Sequence, residues 1–159
     1  MFHLSGIPCI PKKSMKKTFF TVLFAAAAFA VSLPVTSFAE HEHTPLGEKM
    51  EAMAHALKDL KPLLGDATKK DAALASIAKA KESATAARDL EPAKTKDIPE
   101  ADRAKFIEGY KKSIDGVIAT LDKLAVAVKN DKTGEEAAIY AQLGDEKRRG
   151  HASYMKKGQ

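Results

Sequence analysis

Apolar residues recur every three or four positions along most of the chain after Glu40, which is the periodicity of amphipathic α-helices. Four such segments follow one another, and no run shows the alternation of apolar and polar residues that is typical of a half-buried β-strand. Good helix formers, chiefly Ala, Lys, Glu and Leu, dominate these segments. The pattern therefore predicts an all-α protein built from four helices.

Capping residues, prolines and glycines separate the four segments. Each predicted helix opens with a cap residue, either before a proline or with an acidic residue three positions later. The predicted start signals are Thr44-Pro45, Thr68-x-x-Asp71, Asp97-x-x-Glu100 and Thr133-x-x-Glu136. The predicted stop signals are Gly65, Glu91-Pro92, Asn130-Asp131 and Gly158. The connections between the helices are short, so consecutive helices are expected to be antiparallel neighbours.

Each predicted helix carries one inward-facing stripe. Helix 3 has the clearest heptad spacing, from Phe106 through Tyr110 to Val128. Helix 2 has a narrow stripe of small residues from Ala73 to Ala87, and helix 1 has a stripe from Leu46 to Leu64. The stripe expected for helix 4 comprises Ala137, Tyr140, Leu143, Lys147, Gly150, His151 and Tyr154. Four stripes of this kind predict an antiparallel up-down-up-down four-helix bundle.

The residues before Glu40 have the pattern of a secretory signal peptide. Lys16 and Lys17 precede an apolar run, Phe19 to Val31, and Ser37-Phe38-Ala39 supplies a small-x-small cleavage site. The run of about 13 residues is too short for a membrane-spanning helix. We therefore expect residues 1–39 to be removed on export to the periplasm, leaving a bundle domain over residues 40–159 that is not membrane-bound.

Met15 directly precedes the two lysines, so it is the expected initiator of this signal peptide. Cys9, the single cysteine, lies before it, and the mature protein would therefore contain no disulfide. Four of the 26 basic residues also precede Glu40, and all 21 acidic residues follow it, which leaves a net charge of +1. The basic pI then gives no support for nucleic-acid binding.

Met50 and His151 are the residues with the clearest capacity for chemistry. In the predicted topology the start of helix 1 and the end of helix 4 lie at the same end of the bundle. Each residue is about six positions from that end, roughly 9 Å at the helical rise, and each lies on an inward stripe. A thioether and an imidazole facing each other form an axial pair for haem iron. Phe106 and Tyr110 are expected to form walls, and Lys147 to meet a propionate. Met and His are, however, also common core residues.

The mature chain resembles the cytochrome b562 family over residues 46–156. The similar segments are Leu46-x-x-x-Met50-Glu51 with the following Met53, Phe106-x-x-Gly109-Tyr110, and Gln142-Leu143 followed by His151 and Tyr154. The resemblance implies a non-covalent haem b with Met50 and His151 as axial ligands, in a pocket that includes Met53, Phe106, Tyr110, Leu143 and Lys147. It also implies a periplasmic electron carrier that is not an enzyme, serving an unidentified redox partner as a monomer, with a dimer left open.

Two features separate the chain from related proteins. The related cytochrome c′ type attaches haem through Cys-x-x-Cys-His, but Lys147 and Gly150 occupy the cysteine positions here. Gly150 also replaces an aromatic residue of the best-known cytochrome b562.

Alternatives of other classes are a haem-free bundle that acts as a chaperone or stress-binding module, and a metal-buffering protein that uses His41 and His43. If the four apolar stripes close on one another, they leave no exposed apolar groove, which would argue against the chaperone. His55 is expected to face solvent, and Lys147-Arg148-Arg149 to form a solvated basic helix end.

Overall fold

The structure, a computed structural model, describes residues 44–156. Within this range it contains four α-helices and three short 3₁₀ turns, which confirms the predicted all-α four-helix bundle. The expected signal peptide, Met15, Cys9 and the histidine pair His41 and His43 lie outside the described residues. The α-helices are α1 (Pro45–Leu60), α2 (Lys70–Arg88), α3 (Glu100–Lys129) and α4 (Thr133–Tyr154). The 3₁₀ turns are Lys61–Leu63, Ala67–Lys69 and Ala93–Asp97.

The start of α1 is capped as the sequence predicts. Pro45 occupies the first turn, and the Thr44 side chain accepts a hydrogen bond of 3.0 Å from the backbone N–H of Gly47. At the other end, Pro62 lies in a 3₁₀ turn, and Gly65 adopts a positive φ of 82° that reverses the chain. Glycine suits this position because a Cβ atom disfavours positive φ.

The other three predicted capping boxes are wrong. Thr68 does not cap α2, because Asp66 accepts hydrogen bonds from the Thr68 N–H and hydroxyl at 3.0 Å and 2.6 Å. Neither Asp97 nor Thr133 caps a helix, since α3 starts after Pro99 and α4 starts at Thr133 itself, with no side-chain cap on either. The sequence pattern therefore located these helix starts to within a few residues but misassigned the capping groups.

Ion pairs between α2 and α3 show that these helices are antiparallel. Lys70, at the start of α2, lies 2.6 Å from the carboxylate of Asp131, just past the end of α3. Arg88, at the end of α2, pairs instead with Asp115 at the middle of α3, also at 2.6 Å. Residues of increasing number along α2 therefore contact residues of decreasing number along α3, as in any antiparallel pair of helices.

Helix α4 runs back along α3 in the same way. Tyr154, its last residue, stacks edge-on against Phe106 near the start of α3, with ring centroids 5.2 Å apart. The side chain of Gln142, in the first half of α4, donates to the hydroxyl of Thr120 at 3.2 Å. Close packing thus joins α1 to α2, α2 to α3 and α3 to α4.

The core lies mainly between α2 and α3. The stripes predicted for these helices are buried almost completely, with Phe106 and Leu74 half-buried. The buried apolar residues of α2 and α3 are Ala73, Ile77, Ala80, Ala84, Ala87, Tyr110, Ile114, Val117, Leu121, Leu124, Ala127 and Val128. Alanine on α2 lets the α3 backbone approach closely, so the larger side chains of α3 fill the space between them.

The stripe predicted for α4 is wrong in part. Leu143 is buried, but Ala137, Lys147 and His151 are exposed. The physical reason is that α4 packs closely on α3 while hardly approaching α1 along its length. The four apolar stripes therefore do not close on one another. The expectation of a closed bundle, which argued against a chaperone, is wrong. No helix between residues 44 and 156 combines the length and apolarity needed to cross a membrane.

Candidate functional site

Helices α1 and α4 are tied together at one end of the bundle. The Tyr140 hydroxyl donates to the carbonyl of Leu57 at 2.9 Å. The backbone N–H of Gly65 donates to a carboxylate oxygen of Glu136 at 2.7 Å, and Glu136 is almost fully buried. A buried carboxylate is stable when it accepts such hydrogen bonds. These two contacts close the bundle at the end where α1 finishes and α4 begins.

An open cleft between α1 and α4 extends from the opposite end as far as Leu57 and Tyr140. It has two adjoining lobes of about 290 Å³ and 300 Å³, each near the lower limit of ordinary small-molecule sites. Val117 on α3 lies at the floor of both lobes. The side walls that both lobes share come from α1 and α4: Met50, Met53, Ala54, Lys147 and His151. The cleft is therefore a single ligand-sized site with ligating residues on facing helices.

Methionine is concentrated in this cleft. The chain has five methionines, of which Met50, Met53 and Met155 fall in the described part, and all three line the cleft. None of them belongs to the fully buried core, which is made of Ala, Leu, Ile, Val and Tyr. Methionine normally fills gaps in cores. Its distribution here favours a role for the thioether sulfur in the cleft.

His151 lies on the α4 wall, whereas Met50 and Met53 lie on the α1 wall and Met155 directly follows α4. Its side chain is exposed rather than buried, because the cleft is open, but it lines both lobes. Partial burial lowers the pKa of His151, and the nearby positive charge of Lys147 lowers it further. Both effects favour the neutral imidazole, which is the form that binds a metal.

Two aromatic residues build the end of the cleft. Tyr110 is 1 % exposed and donates its hydroxyl to the carbonyl of Ala87 at 2.7 Å. Burial raises the pKa of Tyr110 to about 12. The ring of Tyr154 stacks edge-on against Tyr110, with centroids 5.5 Å apart. Both rings line the cleft and provide an apolar surface there.

The structure places the remaining predicted site residues as follows. Leu143 is buried at the base of one lobe, and Lys147 is exposed on the wall of both. Phe106 does not line the cleft, contrary to expectation, but it packs against Tyr154, which does. A Cβ atom on Gly109 would lie 3.1 Å from the Tyr154 hydroxyl, so glycine makes room for this ring.

Sequence reasoning did not assign several cleft residues to the site, among them Val117, Glu146, Tyr154 and Met155. Tyr154 was assigned to the inward stripe of helix 4 but not to the site. Glu146 precedes Lys147 and falls outside the stripe, so no periodicity could identify it. Met155 lies just past the end of α4, where helical periodicity no longer applies.

The alternative metal sites receive little support in the described part of the chain. Over residues 44–156 no three or more His, Cys, Asp or Glu side chains gather where they could hold a metal ion. His55 lies on the surface, 3.6 Å from Glu51. In the basic cluster that precedes His151, Arg148 pairs with Asp145.

The residues of the cleft fit a non-covalently bound haem. A thioether and a neutral imidazole on opposite walls are axial ligand types for haem iron, and the surfaces around them are largely apolar. Lys147 on the wall can meet an anionic substituent. No cysteine is present in residues 44–156 to attach the group covalently.

The sequence model of the family described as Cytochrome b562 matches residues 45–155, which includes all four helices and both walls of the cleft. No curated protein matches the sequence significantly.

Proposed function

The chain belongs to the cytochrome b562 family of haem-binding electron-transfer cytochromes, and we propose that it carries electrons in the periplasm through one non-covalent haem b bound by Met50 and His151. The observation that carries the proposal is the cleft between α1 and α4. Its lining includes all three methionines of the described chain, and two of them, Met50 and Met53, lie on α1 across the cleft from the helix that carries His151.

Each wall residue has a defined task in this proposal. Met50 and His151 would hold the iron, while Val117, Leu143 and Tyr110 would exclude water from the bound group. Lys147 neutralises a propionate. When bound, haem supplies a one-electron couple between Fe(III) and Fe(II). With both Met50 and His151 bound to the iron, no ligand position would remain for a substrate, which supports a carrier rather than an enzyme.

The location in the periplasm is also a proposal, supported by the family and by the signal-peptide pattern of residues 15–39. Cleavage after Ala39 gives a mature chain that begins at Glu40. Mass spectrometry of the exported protein tests this, and retention of the N-terminal residues in the exported form would contradict it.

Reconstitution of the mature protein with hemin tests the cofactor. We expect a red, six-coordinate low-spin protein with sharp α and β bands after reduction and a b-type pyridine haemochrome. Replacing His151 with Ala should remove most haem affinity, because imidazole is the stronger ligand. Replacing Met50 with Ala should retain haem but open one axial position, so that the iron becomes high-spin, binds carbon monoxide and has a lower potential.

Met53 provides the matched control, since it lies one turn from Met50 and lines the same two lobes. Met53→Leu should keep the wild-type spectrum and potential. If Met50→Ala leaves both unchanged while Met53→Leu alters them, Met53 is the ligand instead. A colourless protein that refuses added hemin would contradict the proposal as a whole.

The open cleft supports one second candidate, a haem-free bundle that binds apolar partners such as unfolded chains. An unclosed apolar surface is what such a protein would present. The hemin experiment separates the two, because a binding module of this kind has no need of Met50 and His151. Alanine variants of these residues would leave its capture of an unfolded chain unchanged.

A further inference from the structure

Glu146 places a carboxylate in the wall of the cleft. One of its oxygens, Oε1, accepts hydrogen bonds from the Thr120 hydroxyl at 2.8 Å and from the side-chain amide of Gln142 at 2.9 Å. The other oxygen, Oε2, is buried and has no hydrogen-bond partner among residues 44–156. Glu146 also takes part in no ion pair with the described basic residues, although Lys147 is its neighbour in sequence.

An arrangement of this kind costs stability. Buried carboxylate oxygens normally accept hydrogen bonds, and one that does not remains without compensation for its lost hydration. Replacing the carboxyl group with a neutral amide would reduce the cost. A group that is unfavourable for the fold yet held in place by two donors points to a role in the site.

Two hydrogen-bond donors hold the Glu146 carboxylate in position. Thr120 is buried on α3, and Gln142 lies one turn before Glu146 on α4, so both neighbouring helices hold the side chain. A charge held in a partly buried position is screened less by water and salt than one on the surface. The cleft thus contains a fixed negative charge on the same helix as His151.

We propose that Glu146 sets the redox balance of the bound cofactor by favouring its oxidised state. The inference rests on the proposed function, since it requires haem in this cleft. Reduction adds one electron, supplied by a redox partner or by dithionite in the assay, and lowers the positive charge of the iron by one. A nearby fixed carboxylate stabilises the more positive state, so it opposes reduction and strengthens binding of the oxidised cofactor relative to the reduced one.

The experiment compares mature, hemin-reconstituted wild type with two variants. Glu146→Gln removes the charge and keeps an oxygen for Thr120 and Gln142. Glu51→Gln is the control, because Glu51 also lines the cleft but is exposed on α1. Spectroelectrochemical titration should show that Glu146→Gln raises the equilibrium constant for reduction about tenfold, or ~59 mV for one electron. Glu51→Gln should change it by less than about twofold, because water and salt screen an exposed charge.

Two further measurements separate a charge effect from a structural one. The haem-free Glu146→Gln variant should melt no lower than haem-free wild type, since a neutral amide costs less to bury than a charged carboxylate. The change in potential should also persist at high salt. If Glu146→Gln fails to fold, Glu146→Leu removes the same charge with an apolar side chain and should raise the potential in the same direction.

If a folded, haem-containing Glu146→Gln or Glu146→Leu variant has the wild-type reduction potential, the inference is wrong. The proposed function would remain intact in that case. Wild type that takes up no hemin would instead refute the proposed function, and the inference with it.

Discussion

Tyr110 links the floor of the cleft to the C-terminal end of α2, and its replacement by Phe tests how firmly that floor is held. The substitution removes only the hydroxyl group. In the wild type this hydroxyl donates a 2.7 Å hydrogen bond to the carbonyl of Ala87, and both residues are almost completely buried. The Ala87 carbonyl would therefore lose its side-chain donor, while the ring could still pack against Tyr154.

The expected cost follows from this burial. A buried hydrogen bond contributes about 0.5–1.5 kcal/mol net. The Ala87 carbonyl keeps a second donor, the backbone N–H of Leu90 at 3.1 Å, so it is not left without a partner. We expect Tyr110→Phe to lower the free energy of unfolding of the haem-free protein by about 1 kcal/mol. For a domain of this size, that corresponds to a decrease in Tm of roughly 4 °C.

The same hydroxyl predicts a pH dependence. Burial raises the pKa of Tyr110 to about 12, above its ordinary value of 10.0, so the folded state retains this proton where the unfolded state has lost it. The stabilisation that comes from keeping this proton on Tyr110 is thus complete below pH 10 and is lost as the pH rises from 10 to about 12. Its slope is at most about 1.4 kcal/mol per pH unit. The difference in stability between wild type and Tyr110→Phe should narrow over this window.

Urea denaturation followed by circular dichroism, repeated from pH 7 to 12, measures both effects. Tyr140→Phe is the matched control, because its hydroxyl also donates to a backbone carbonyl, that of Leu57, but the residue is only half-buried. We expect Tyr140→Phe to lower the free energy of unfolding by less than Tyr110→Phe does. The reasoning is refuted if Tyr110→Phe is as stable as wild type at pH 7, or if the difference between them grows above pH 10.

Two further predictions concern single side chains. The hydroxyl of Thr95 is buried without a hydrogen-bond partner among the described residues, so Thr95→Val should stabilise the protein by about 1 kcal/mol in urea denaturation, and a loss of stability would show that the hydroxyl is satisfied. Gly116→Ala should stabilise α3 by about 0.5–1 kcal/mol, because a Cβ atom there meets nothing within 4 Å. Gly109→Ala should lack this gain, since its Cβ would lie 3.1 Å from the Tyr154 hydroxyl, and an equal gain at both glycines in thermal melts would contradict the role assigned to Gly109.

The core was predictable because helix periodicity carries direct information about burial. On α3 the spacing from Tyr110 to Val128 puts every stripe residue on one face, and the structure buries that face. Capping was harder to predict from the same sequence. Asp66 rather than Thr68 caps the turn before α2, and the capping-box Glu136 accepts from Gly65 across the bundle. A distant backbone donor can compete with a local one, and sequence spacing does not reveal it.

The candidate site was predictable to the extent that topology determines it. Met50 and His151 lie at similar distances from one end of the bundle, and the structure has both on the walls of one cleft. The opening between α1 and α4 was not predictable, because periodicity shows which face of a helix is apolar but not whether another helix covers it. Glu146 was missed for a related reason, since its hydrogen bond to Thr120 joins residues 26 positions apart.

The two ends of the bundle divide stability from function. The hydrogen bonds of Glu136 and Tyr140 and the core between α2 and α3 form within the protein itself, so they can hold the fold without a ligand, although Tyr140 and Leu57 also line one lobe of the cleft. At the other end, α1 and α4 remain apart and expose the methionines and His151. A ligand that binds there only in the folded state adds stability in proportion to the logarithm of its concentration above Kd. The cofactor should therefore raise Tm by closing α1 onto α4 while the pairing of α2 with α3 stays unchanged. Hydrogen exchange would show this as new protection confined to α1 and the second half of α4.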